Sequence, residues 1–176
     1  MRARPRRGHL DEDERSTDLE AAREAALRLL GRTRRTRSDL ARRLRDRGYA
    51  AATVEQALDR LAGVGLVDDV EYARAYLAGR RQRRPAGKRR LEQELRARGV
   101  GAEDIARARE RLDQEQGGVD ELAGARRVVA QAERRTRGLD PRVRRQRLYA
   151  LLARRGFDPE VIRTVLESGG EELGSE

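Results

Sequence analysis

The chain has 176 residues and a formal net charge of +10 at pH 7, with 41% charged residues, 3% aromatic residues, and neither Cys nor Trp. The missing cysteines exclude a disulfide framework, a thiolate zinc site and a thiol nucleophile, and a single histidine, His9, excludes any site built on two imidazoles. No apolar run approaches the roughly 20 residues of a membrane span and no signal-peptide pattern is seen, so the chain reads as a soluble, cytoplasmic protein.

In chain order, residues 1–17 run from Arg2, Arg4, Arg6 and Arg7 into Asp11, Glu12, Asp13 and Glu14, with no hydrophobic period, and read as a disordered charged tail. An amphipathic helix is predicted over about 19–31, with Leu19, Ala22, Ala26, Leu29 and Leu30 at helical spacing. A basic second helix carries Leu40 and Leu44 one turn apart and ends at Gly48; a third begins near Thr53, expected to cap it. The same order returns with 69–83 (Val70, Ala73, Tyr76, Leu77), a helix ending at Gly99, and a helix opening on Glu103 and Asp104. It returns again with 120–135 (Leu122, Ala125, Val128, Val129), a helix ending at Gly156, and one opening on Asp158, Pro159 and Glu160. Residues 169–176 form an acidic tail.

The repeat is exact in its apolar register. Eight residues before each glycine stand Leu40, Leu91 and Leu148, and four before stand Leu44, Leu95 and Leu152. One after stand Tyr49, Val100 and Phe157, six after Val54, Ile105 and Ile162, and nine after Ala57, Ala108 and Val165. The predicted fold is therefore all-α, an elongated, curved array of three tandem three-helix repeats over 18–67, 68–117 and 118–168. Each repeat buries too little apolar area to be stable without its neighbours.

Positive charge recurs at one place in every repeat. The windows 32–47, 80–98 and 134–155, around each second helix, hold eight cations against two anions, nine against two, and nine against one. The third helices are neutral to acidic. The expectation is one basic ridge serving a polyanion or a carboxylate-rich protein surface. The neutral later helices argue against helix-turn-helix base reading, and scarce aromatics limit stacking, which leaves backbone contact to single- or double-stranded DNA without base readout. Catalysis finds no motif: Gly87-Lys88 lacks the upstream glycine of a P-loop, and the pairs Asp68-Asp69 and Glu103-Asp104 lie where anions offset a helix dipole. The reading is a monomeric, non-enzymatic interaction protein with no cofactor or metal.

Three segments carry a family resemblance. They are Arg37-Ser38-Asp39-Leu40 with Leu44-Arg45-Asp46-Arg47-Gly48-Tyr49; Gly65-Leu66-Val67-Asp68-Asp69-Val70-Glu71-Tyr72-Ala73-Arg74; and Arg84-Pro85-Ala86-Gly87-Lys88-Arg89-Arg90-Leu91 with Glu94-Leu95-Arg96-Ala97-Arg98-Gly99-Val100. In this order and spacing they resemble the RecX family of bacterial RecA regulators, over about residues 20–166. The resemblance implies a protein that lies in the groove of the RecA–DNA filament, bridges neighbouring subunits and limits filament extension. ATP hydrolysis, strand exchange and the SOS response are thereby restrained. By matched motif, Asp68 and Asp69 would cap the second repeat's first helix with Tyr72 packed beneath. Gly48, Gly87, Gly99 and Gly156 would be structural glycines. The candidate filament and DNA contacts are Arg42 and Arg45 in the first repeat; Arg80, Arg81, Arg83, Arg84, Lys88, Arg89 and Arg90 in the second; and Arg142, Arg144 and Arg145 in the third.

Overall fold

The computed structural model describes residues 17–116 and 120–171. The charged segment before residue 17 and the acidic residues after 171 lie outside the described residues, so the expectations for the two tails are not addressed there. Within the described residues the chain forms helices and no strand: α1 (Leu19–Leu30), α2 (Arg37–Arg45), α3 (Ala51–Gly63), α4 (Asp69–Arg83), α5 (Lys88–Arg96), α6 (Ala102–Gln116), α7 (Glu121–Thr136), α8 (Pro141–Arg154) and α9 (Pro159–Glu171). They fall into three tandem three-helix repeats. Two compact units are formed, one ending at Tyr72 and the other starting at Ala73.

In the first unit, Ala25, Ala26 and Leu29 of α1, Leu40 and Leu44 of α2, and Val54, Leu58 and Leu61 of α3 make one core, with Tyr49 packed partly against it. In the second unit, Ala125 and Val128 of α7, Leu152 of α8, Phe157, and Ile162 and Val165 of α9 make another. The register read from sequence is borne out: of its members only Tyr49 is not fully buried. α9 continues to Glu171, past the residue 168 expected to end the repeat, and the Ser168 hydroxyl donates back to the Thr164 carbonyl at 2.8 Å along it. Thr53 does not cap α3; Ala50 stands at that position and Thr53 is buried inside the helix.

Each second helix stops in the same way. Gly48, Gly99 and Gly156 have φ of 90°, 81° and 77°, a region that side chains disfavour. The next amide in each case donates to Leu44, Leu95 or Leu152 at 3.3, 3.1 and 3.3 Å, and the glycine amide donates to Arg45, Arg96 or Ala153 at 2.9, 2.8 and 2.9 Å. This pair of bonds satisfies the last carbonyls and folds Tyr49, Val100 and Phe157 back onto the leucines.

The first helices of the repeats carry a second shared device. Asp18, Asp68 and Asp120 cap α1, α4 and α7, accepting from Ala21, Glu71 and Ala123 N–H at 2.9, 2.8 and 2.8 Å. The following residue is Leu19, Asp69 or Glu121. Asp69 Oδ1 accepts from the Arg37 N–H at 2.8 Å, and Glu121 Oε1 accepts from the Lys88 N–H at 3.1 Å. Arg37 and Lys88 open α2 and α5, so the carboxylate that opens one repeat caps the second helix of the repeat before it. Asp68 thus caps α4, and Asp69, in the first turn of that helix, also serves α2 through its Oδ1. Leu19 has no carboxylate to extend backwards, and Pro141, at the matching position of α8, has no N–H to donate.

Gly87 is needed for proximity. Its φ of −70° suits any residue, but a Cβ there would sit 2.0 Å from the Gly156 carbonyl oxygen, and its own N–H donates to Arg155 O at 2.9 Å. The second and third repeats meet there backbone to backbone. We expect Gly87→Ala to cost at least about 2 kcal/mol, because the atom it hits is main chain and cannot turn aside. Gly79→Ala, with open space around it inside α4, should instead stabilise by about 0.5–1 kcal/mol. Asp69→Ala should cost about 1 kcal/mol through the lost cap on α2. Urea unfolding followed by far-ultraviolet circular dichroism measures all three.

Candidate functional site

The structure redistributes the positive charge that the sequence windows showed as even. In the first repeat the cations are largely consumed locally. Asp39, on the first turn of α2, takes Arg35 at 2.7 Å, Arg43 at 2.8 Å and Arg42 as well. Burial alone would raise its carboxyl, but hydrogen bonds from Arg43, Arg35 and Arg42 outweigh that and hold it at about 2. Arg37 reaches across to Glu55 and Asp59 of α3, each at 2.7 Å, and Arg45 approaches the same Glu55 at 3.6 Å. Of the two candidates in this repeat, Arg42 and Arg45 are exposed, but both are paired.

In the second repeat Glu94 of α5 plays the part of Asp39. Arg80 of α4 grips it with one edge of its guanidinium, Nη2 at 2.7 Å and Nε at 3.1 Å, Arg90 donates at 3.1 Å, and the Tyr76 hydroxyl donates to the same carboxylate. The Arg98 guanidinium lies 4.6 Å from the centre of the Tyr76 ring. Burial again pushes the Glu94 carboxyl up, and the donors from Tyr76, Arg80 and Arg90 reverse this and hold it at about 2. Arg80 therefore braces α4 against α5. Lys88 lies 3.9 Å from Glu121 and Arg89 3.6 Å from Asp158, both across the junction with the third repeat. Arg84 is exposed with no side-chain partner among the described residues. The side chains of Arg81 and Arg83 lie outside the described residues.

The third repeat differs. α8 carries five arginines and no carboxylate, as its sequence PRVRRQRLYALLAR shows. Arg144 is paired with Glu133 at 3.1 Å, but Arg142 and Arg145 are exposed and unpaired among the described residues. Arg147 and Arg154, which the charge windows contained but did not single out, are exposed and unpaired too, and with Arg135 they rim a groove of about 610 Å³ between α7 and α8 whose floor includes Val128, Ala132, Leu148 and Leu151. A second groove of about 470 Å³ has Val129, Leu139, Leu148, Val165 and Leu166 below and Arg137, Arg142 and Arg145 around it. The signal that could have found this asymmetry is the absence of any Asp or Glu from 141 to 157; a net count over a window conceals whether anions on the neighbouring helix already answer the cations. No cluster of three or more metal-ligating side chains occurs among the described residues, and none of their helices is long and apolar enough to cross a membrane.

Comparison with known proteins gives a consistent picture over most of the chain. Models of the first, second and third three-helix domains of RecX match residues 22–61, 68–108 and 120–166. A regulatory protein RecX from Streptomyces coelicolor is 41% identical over 165 residues, covering 90% of this chain and 86% of the relative. One from Thermobifida fusca is 38% identical over 156 residues, covering 86% and 82%. Among solved structures, a crystal structure of a regulatory protein RecX superposes with a TM-score of 0.75 at 27% identity, covering 93% of this chain and 82% of that one. RecX from Lactobacillus salivarius superposes at 0.77 with 18% identity, covering 86% and 96%, a likeness of fold.

The Glu94 cluster gives a pH signature. A carboxyl held below its unfolded value of about 4.3 contributes stability that is complete above that pH and is lost as pH falls through about 2. Glu94→Gln should therefore cost about 2 kcal/mol at neutral pH and almost nothing near pH 2. Urea midpoints of the two proteins, measured from pH 7 downward, should converge.

Proposed function

The chain belongs to the RecX family, and from that premise we propose that it is a regulator, mainly an inhibitor, of the RecA recombinase. It binds in the groove of the RecA–DNA filament and limits its extension, with ATP hydrolysis and strand exchange falling as a consequence. The observation that carries this reading is the match of all three domains, in order, to proteins named as RecX regulators. No reactive group is required of such a protein, because occupancy of a site on the filament is enough.

The site geometry supports the reading. Stiff three-helix modules, with capped helix ends and braced second helices, lose little conformational entropy when they bind. The first repeat, with its alternating Arg–carboxylate pairs, offers a charge-balanced polar surface suited to exchanging partners with a protein. The third offers unanswered guanidiniums suited to phosphates or carboxylates. Arg84 is the cleanest single probe of the second-repeat contact, since Arg80, Lys88 and Arg89 also hold the fold together. A second reading, a general nucleic-acid-binding protein without base readout, is favoured by the free arginines of α8 alone.

The test is RecA's single-strand-dependent ATP hydrolysis with and without the purified protein at stoichiometric amounts. We expect a clear fall; an unchanged rate sinks the regulator reading and leaves the nucleic-acid reading. Arg84→Glu should weaken inhibition on filaments more than binding to bare DNA.

A further inference from the structure

We propose that the outward flank of α8 is a stacking platform for single-stranded nucleic acid, with Tyr149 as the stacking ring and Arg142 and Arg145 as the phosphate contacts. The proposal deepens the regulator reading by naming what the third repeat touches in the filament, and its test separates the two.

Four of the chain's five aromatic side chains are committed or shielded. Phe157 is buried in the third-repeat core and Tyr49 packs partly against the first. Tyr76 donates to Glu94 beneath Arg98, and Tyr72 is half-buried. Tyr149 is 49% exposed. A solvated ring is unremarkable by itself, but this one stands in a charged setting. Arg142, Arg145 and Tyr149 are spaced i, i+3, i+7, which puts them on one stripe of α8 about 10 Å long. The two arginines also rim the groove that Arg137 closes on its other side. The one carboxylate in that lining, Glu133, is already held by Arg144 at 3.1 Å.

Charge complementarity requires a polyanion, and the ring selects among polyanions. In a duplex the base faces are stacked on one another, so a ring at the surface meets only sugar and phosphate edges. A single strand exposes its base faces, and a ring beside two guanidiniums is the combination that tracks it. An acidic protein surface would satisfy the arginines and leave the ring without a partner.

The experiment uses the full chain and fluorescence anisotropy on a labelled oligo(dT) of about 30 nucleotides and on a duplex of the same length, from about 50 to about 200 mM salt. Tyr149→Ala should weaken single-strand binding about fivefold to a hundredfold and leave duplex binding unchanged, whereas Tyr149→Phe should stay within about twofold. Arg142→Gln with Arg145→Gln should lower the salt slope on the single strand by about 1.4. An oligo(dT) affinity unchanged by Tyr149→Ala, or an equal loss on both substrates, overturns the proposal. So does a loss confined to RecA inhibition, which would make the flank a protein contact. If wild-type protein leaves RecA's ATP hydrolysis untouched while Tyr149→Ala still loses oligo(dT), the platform stands and the regulator reading fails. If inhibition is intact and Tyr149→Ala binds as wild type, the reverse holds.

Discussion

A chain with few large side chains and short helices has many helix ends to satisfy and little apolar area to spend on tolerating open ones. The opening carboxylates of the second and third repeats meet that constraint. Asp69 and Glu121 each reach back to the first N–H of the preceding repeat's second helix. Each bond removes an unsatisfied donor, and within the second unit the Glu121 bond also fixes the register of the third repeat on the second. A hydrophobic contact fixes neither so well, because it is indifferent to small slips. At the other end of each second helix the αL glycine closes the remaining backbone groups. The second helices, which carry the basic windows, are therefore anchored at both ends, with Pro141 and its Asp140 cap standing in at the start of α8.

Anchoring matters because those helices hold like charges close together. Arg35, Arg42 and Arg43 converge on Asp39, and Arg80 and Arg90 converge with Tyr76 on Glu94. In each case one partly buried carboxylate neutralises several guanidiniums and ties neighbouring residues of the helix, or two helices, together. These are structural uses of arginine, and they explain why a strongly cationic chain can remain folded in spite of its self-repulsion.

The hydrophobic repeat was legible in the sequence because its determinants are local: leucines one turn apart, a glycine after them, an apolar residue to fold back. Each needs only chain spacing to be recognised. The role of Asp69 was not, because its partner Arg37 lies 32 positions away and the neighbouring Asp68 fits the nearer role equally well. Gly87 was picked out by motif, but its cause, the approach of the Gly156 backbone, is tertiary. The candidate surface was half legible. Counting charges located the arginine-rich helices and overstated the unpaired charge of the first repeat, since Glu55 and Asp59, which answer Arg37 and Arg45, sit on the third helix and were credited to the acidic side.

The opening turns of α5 and α8 show which arginines are surplus to folding. Cations at a helix N-terminus oppose the macrodipole, so a sequence does not place them there for stability. α5 begins Lys88-Arg89-Arg90, and each has a carboxylate: Glu121, Asp158 and Glu94 at 3.9, 3.6 and 3.1 Å. α8 begins Pro141-Arg142-Val143-Arg144-Arg145, and only Arg144 is answered. Arg142 and Arg145 are thus placed against the local electrostatics, and neither has an ion-pair partner among the described residues; Asp140, the carboxylate at that end, is engaged on the Arg142 and Val143 N–H groups. Such a local conflict persists in a consistently built sequence where an external group supplies the missing counter-charge. The same stripe carries the chain's exposed ring, and this coincidence of an unanswered charge with an unshielded aromatic distinguishes α8 from the other arginine-rich helices.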